Sequence, residues 1–168
     1  MKLSANEFIN SQHKRLTLLG MSGVGKTHLA KLLSKNDAYF HYSGDYRIGA
    51  QYLNNDILDN IKSYIKQDEK LKELLENDSI SVQNHITFDN LSVVSSFLGK
   101  AGNPELGGLP FAEFMRRQAL FSQAESNTML DVPDFIAKAK RQGIANFIND
   151  AGGSLCELDN ENIYKTLA

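Results

Sequence analysis

No stretch of the chain constrains its fold as tightly as RLTLLGMSGVGKTHLAKLL, residues 15–33. RLTLL, at 15–19, is a short apolar run and reads as a buried strand of the parallel type. HLAKLLSK, at 28–35, sets Leu29, Leu32 and Leu33 on one helical face. Between them, Gly20, Gly25, Lys26 and Thr27 fit the spacing G-x-x-x-x-G-K-[ST]. With 12 Gly, 13 Lys and 19 Ser plus Thr in 168 residues, a chance match somewhere in the chain has a probability of about 0.7%. Strand, loop and helix are also the context that the spacing requires. Each residue type has a physical task there. Glycines let the backbone take positive φ and bring N–H groups close to an anion. The helix beginning near Lys26 points its positive dipole end at the same place. Lys26 supplies a mobile charge and Thr27 a hydroxyl for a hard cation. Ser22 and Gly23 are small enough not to crowd the loop.

Composition bounds the alternatives. A chain of 168 residues suits one domain with its own core. Hydrophobic content of 42% and charged content of 23% exclude disordered, collagenous and coiled-coil readings. A net charge of −2 leaves no basic footprint, so nucleic acid is not an expected partner. No apolar run approaches the ~18 residues of a membrane helix. The opening MKLSANEFINSQHKRL has no apolar core of a signal peptide, so the cytoplasm is the simplest address. Cys156 is the sole cysteine, which excludes an intramolecular disulfide and a multi-cysteine zinc site. It reads as a small buried residue rather than a nucleophile.

Along the rest of the chain, residues 1–14 read as a frayed or loosely docked lead-in. YFHYS, 39–43, reads as a second strand, and DYRIGAQYL opens a helix. Residues 54–76 are helical, with Ile57, Ile61, Tyr64 and Ile65 recurring at helical spacing and Leu71, Leu74 and Leu75 repeating the pattern. SISVQN, 79–84, fits a short strand or a loop. Asp89 is placed to cap a helix ending near Gly99. Residues 100–110 form a loop, and a long helix spans 111–130. Asp131 caps another, with Pro133 in its first turn and Gly143 at its end. ANFIN, 145–149, reads as a third strand running into Asp150, and Asn160 caps a last short helix. The expected fold is therefore α/β, a single domain over 1–168. Its core is a parallel sheet with three recognisable strands, and a large helical insert, about 50–143, separates strands 2 and 3.

In open α/β sheets, ligands bind beyond the carboxyl ends of the strands, and two segments fall there. In YSGDYRIG, 42–49, Asp45 has the chemistry to orient or deprotonate a hydroxyl, and Arg47 offers a fork for a carboxylate or phosphate. The plainer alternative makes Asp45 a helix cap and Arg47 a solvated side chain. In FINDAGGSLCEL, 147–158, Asp150 ends a strand and would hold Mg²⁺, through water, with Thr27. The Gly152-Gly153-Ser154 turn comes next, and Glu157 adds a further acidic group. The alternative there is a tight turn with Asp150 as a turn residue. Arg116 and Arg117 read as solvated helix arginines, and the four histidines show no metal-ligand spacing.

GMSGVGKT, HYSGDYRIG, ITFDNL and NDAGGSLCEL together resemble phosphate-loop NTPases of kinase-like type, the adenylate and shikimate kinases. Over roughly 15–158 the chain looks like an uncharacterised bacterial family labelled simply P-loop ATPase. The resemblance implies ATP bound by Gly20, Ser22, Gly23, Val24, Gly25, Lys26, Thr27 and His28, with Mg²⁺ as its companion. Asp45 takes the place of the acidic group beside the acceptor, and Arg47 that of the acceptor-binding arginine. Arg stands two residues after Asp here, against three in adenylate kinases. The resemblance also implies a five-stranded sheet, so a chain ending at Ala168 reads as C-terminally truncated, with an open sheet edge beside the first strand. The implied activity is phosphoryl transfer from Mg-ATP to a small-molecule acceptor. The alternatives are an ATPase or a nucleotide-dependent switch acting on a protein partner, or a non-catalytic nucleotide-binding module. No Asn-Lys-x-Asp run is present, so ATP is favoured over GTP.

Overall fold

The computed structural model describes residues 4–21, 23–153, 158 and 160–167. The chain is mixed α/β and divides into two compact units, one formed by Met1–Asp45 with Glu125–Ala168, the other by Tyr46–Ala124.

The first unit is built on a parallel sheet of β1 (Arg15–Leu18), β2 (Phe40–Ser43) and β3 (Phe147–Asp150), in the order β1-β3-β2. The third strand in sequence is thus the middle strand in space. All four of its residues are buried, although two are polar. β1, expected to be buried, lies at an edge among the described residues and is half exposed. The register aligns Arg15, Phe147 and Phe40 where the strands begin, and Leu18, Asp150 and Ser43 where they end. Asn146 fixes the starting end. Its Oδ1 accepts from the Lys14 amide at 2.9 Å and its Nδ2 donates to the Ala38 carbonyl at 3.0 Å, tying the entries of both outer strands to the central one.

Helix α1 (Ala5–Asn10) precedes β1. From Ser4 onward the lead-in is helical: Ser4 and Glu7 form a reciprocal capping box, which satisfies two amides that would otherwise fray. Helix α2 (Lys26–Leu33) packs on β3 and β2 through fully buried Ala30, while Leu29 and Leu32 stay 44% and 45% exposed. The core of this unit comes from the sheet's aromatics and two later helices. Tyr42, Met129, Val132, Ala139, Phe147 and Ile163 are all buried within it. Phe40 stacks on Phe147 with ring centroids 5.7 Å apart, and Tyr42 meets Phe135 at 4.7 Å. The Tyr42 hydroxyl donates to the Thr128 carbonyl at 2.6 Å, so its polar end is satisfied where its ring is buried.

The second unit is helical. Short α3 (Gly44–Arg47) leads into it through a wide turn, Ile48–Tyr52, in which the Leu53 amide bonds to the Ile48 carbonyl five residues back at 2.8 Å. Gly49 in that turn has no room for a side chain, since a Cβ would lie 2.6 Å from the Val94 side chain. Helices α4 (Asn54–Ile65), α5 (Glu69–Glu76) and α6 (Ser92–Leu98) come next, and residues 79–84 form a loop. Ile48, Leu53, Ile57, Val94, Phe97 and Ala124 make the core. The stripe on α4 buries Ile57 and leaves Tyr64 exposed. Leu91, not Asp89, occupies the cap position of α6, because Thr87 and Asn90 close a tight bridge that takes Asp89 out of line.

Helix α7 (Phe111–Leu130), then α8 (Val132–Arg141) and α9 (Glu161–Leu167), complete the chain. Asp131 precedes α8 but makes no side-chain cap, since its own backbone is already helical. Asn160 does cap α9, accepting from the Asn162 amide at 3.1 Å.

Arg117 corrects the expectation of a solvated arginine. It is 5% exposed and donates to the Phe97 carbonyl, to Asn60 Oδ1 at 2.6 Å and to Glu113 Oε1 at 2.7 Å, while its guanidinium lies over the Phe97 ring. Arg116 is exposed and also bonds Glu113, and hydrogen bonds from Arg116 and Arg117 pull the Glu113 carboxyl down to about 2. Arg117→Ala would strand the Phe97 carbonyl and Asn60. It is expected to destabilise the protein by about 2–3 kcal/mol in chemical denaturation, with Arg116→Ala costing well under 1 kcal/mol.

Candidate functional site

Because the three strands end in register, the segments that continue from them emerge together at one end of the sheet. After β1 comes the glycine loop, after β2 Gly44 and Asp45, and after β3 Ala151, Gly152 and Gly153. Together they shape a cleft of about 220 Å³. Gly23, Gly25, Lys26, Thr27 and His28 form one side, and Asp45 and Gly153 the other.

The loop owes its path to glycine. Gly20, Gly23 and Gly25 have φ of 143°, 84° and 92°, values that a side chain would strain. Gly25 stands at the N-cap of α2 in the left-handed conformation, with no side chain capping the first turn. Among the described residues no side chain takes up the free amides of that turn, which suit water or an anion. Lys26 folds back over the loop, its Nζ donating to the carbonyls of Gly20 at 2.7 Å and Met21 at 3.1 Å. Thr27 is half buried in the first turn beside exposed His28. Val24 is exposed at the loop's outside.

The opposite wall is acidic. The pKa of Asp45 is raised: crowding by surrounding protein atoms contributes most, although one side of the residue still meets solvent, the Asp150 and Glu125 carboxylates add to it, and Lys26 opposes it. Asp150 closes β3, is 4% exposed, and has Oδ2 3.6 Å from Nε2 of His41 on the neighbouring strand. Its proximity to Asp45 is electrostatic, and it stands behind the cleft wall rather than on it. Arg47 belongs to the second unit, where its guanidinium sits 5.7 Å from the Tyr52 ring centroid. Ser22, Ser154, Cys156 and Glu157 lie outside the described residues.

Glu125 is a residue that sequence reasoning missed. It is 1% exposed on α7. Glu125, Thr128 and Met129 are all buried, so a carboxylate occupies a position in a buried helical stripe. That register was the available signal. Its carboxylate fills the space where a side chain on Gly152 would stand.

Among the described residues no cluster of three or more His, Cys, Asp or Glu is arranged to hold a metal by itself. The oxygens of Thr27 and Asp150 are hard donors of the kind Mg²⁺ accepts. Among the same residues, no helix is long and apolar enough to cross a membrane.

Fold and site thus define an α/β protein with a small parallel sheet, whose glycine loop, lysine and acidic groups meet at the strands' carboxyl end. Comparison with protein-family models, with curated proteins and with solved structures finds no match to this chain.

A methyl group at residue 152 would overlap the buried Glu125 carboxylate. Gly152→Ala is expected to cost about 1–3 kcal/mol by thermal or chemical denaturation. In the double variant with Glu125→Ala the cost is expected to fall below the sum of the two single changes, which a double-mutant cycle reads directly.

Proposed function

We propose that this chain is an ATP-binding phosphate-loop protein that transfers the γ-phosphoryl group of Mg-ATP to a small-molecule acceptor. One observation carries the reading. The glycine loop leaves β1, opens α2 with an uncapped first turn, and places Lys26 and Thr27 in a cleft faced by Asp45. A polyphosphate is the ligand whose chemistry such a cleft fits best, with loop amides and the dipole of α2 receiving its oxygens. The resemblance to adenylate-kinase-like and shikimate-kinase-like chains points the same way.

In this reading Lys26 exchanges the loop carbonyls for the β- and γ-phosphate oxygens. Mg²⁺, bound with the nucleotide, supplies charge neutralisation across those oxygens. Thr27 and, through water, Asp150 are the residues that would hold it. Asp45, its pKa raised by its surroundings, is suited to take the proton of an attacking hydroxyl. The bond from the γ-phosphorus to the ADP oxygen breaks as that to the acceptor oxygen forms. Asp45 keeps solvent exposure, so water is the rival acceptor. An ATPase or switch is then the second reading, recognised by ADP release without any added acceptor.

Calorimetric titration of Mg-ATP into the 168-residue chain is the test. Micromolar binding is expected, weakened at least about tenfold in Lys26→Ala at unchanged circular dichroism. A folded wild-type chain that takes up no Mg-ATP overturns the proposal.

A further inference from the structure

The first unit has a second cavity, of about 310 Å³, at the opposite end of the sheet from the glycine cleft. It lies where the parallel strands begin, so it shares no lining residue with that cleft. Arg15, Phe147 and Phe40 stand side by side there, one on each strand. Two places in the row are covered: Phe135 of α8 packs on Phe40 with ring centroids 6.3 Å apart, and Phe40 stacks on Phe147. The third place holds an arginine on the edge strand, and the row opens there into the cavity. Ile136, Ile144 and Phe147 form an apolar floor that is the outer flank of the unit's core. The polar rim consists of His13 and the cations Arg15 and Lys140, and no carboxylate among the described residues lines the cavity.

Arg15 and Lys140 are exposed, and among the described residues neither side chain has an ion pair or hydrogen bond. The dipole of α8 accounts for a cation in that helix's last turn. It does not account for Arg15, which belongs to a different element and faces the same cavity. The volume is in the range of small-molecule sites, and an apolar lining with a few converging charges is their usual character. An arginine fork beside a lysine matches a carboxylate.

We propose that this cavity binds a small amphipathic carboxylate, its apolar body against Ile136, Ile144 and Phe147 and its head between Arg15 and Lys140. The site is independent of the nucleotide reading. The test titrates octanoate, kept below its micelle concentration, into the full chain, with octanol as the neutral ligand of equal length. Calorimetry and amide and methyl NMR are the readouts. Octanoate is expected to bind at least about tenfold more tightly than octanol and to shift the signals of Ile136, Ile144 and Phe147. The exposed double change Arg15→Gln/Lys140→Gln should reduce octanoate to the affinity of octanol. Ala145→Phe, which fills the cavity mouth, should abolish binding of both at unchanged circular dichroism. Equal affinity for the two ligands, undiminished octanoate binding in either variant, or shifts confined to the glycine loop would overturn the proposal.

Discussion

The parallel register that ends three strands side by side, at Leu18, Asp150 and Ser43, is the constraint on which the site depends. A one-residue slip in either ladder would turn the side chains of that strand to the other face. It would part Asp150 from His41 and shift Asp45 relative to Lys26. Two features hold the register. At the starting end, Asn146 bonds to the entries of both outer strands. Beyond it, the aromatic row of Phe40, Phe147, Tyr42 and Phe135 packs only with the ring-bearing face turned inward. Stability and site geometry therefore rest on the same pairing.

At the other end of the strands the arrangement is electrostatic. Lys26 closes onto the carbonyls of its own loop, and three carboxylates gather behind and across from it. Asp45 bears the consequence, with a raised pKa. Positive φ at three glycines and a carboxylate fitted against Gly152 are structural costs concentrated in one small region. Such concentration is common where a protein must bind something. The cavity at the opposite end differs in character, with an apolar floor continuous with the core and, among the described residues, two cations without carboxylate partners.

Most of the elements were legible in the sequence because their signals are local. The β1 and β2 runs, the 111–130 helix, Pro133 at the start of α8 and the cap at Asn160 depend on residues within a few positions of each other. The features that could not be read are non-local. RLTLL looks like a buried strand, but the order β1-β3-β2 gives the central place to FIND, whose polar half disguises it. Leu29 and Leu32 suggest the packed face of α2, yet Ala30 is the residue that meets the sheet. Arg117 and Glu125 are charged residues at buried helical positions, and only their partners, distant in sequence, distinguish them from solvated neighbours. Of the candidate site residues, the loop could be read because its spacing encodes its geometry. Asp45 stands out by its place after a strand, but its electrostatic coupling to Glu125 depends on α7 and is invisible in its own segment.

The central claim is that the glycine loop and the first turn of α2 form the anion site. Amide NMR of the full chain during addition of Mg-ADP tests it most directly. The largest shifts are expected at Gly23, Gly25, Lys26 and Thr27, with Asp45 next and the start of the strands unmoved. Saturable shifts centred elsewhere, with the loop amides unchanged, would contradict it.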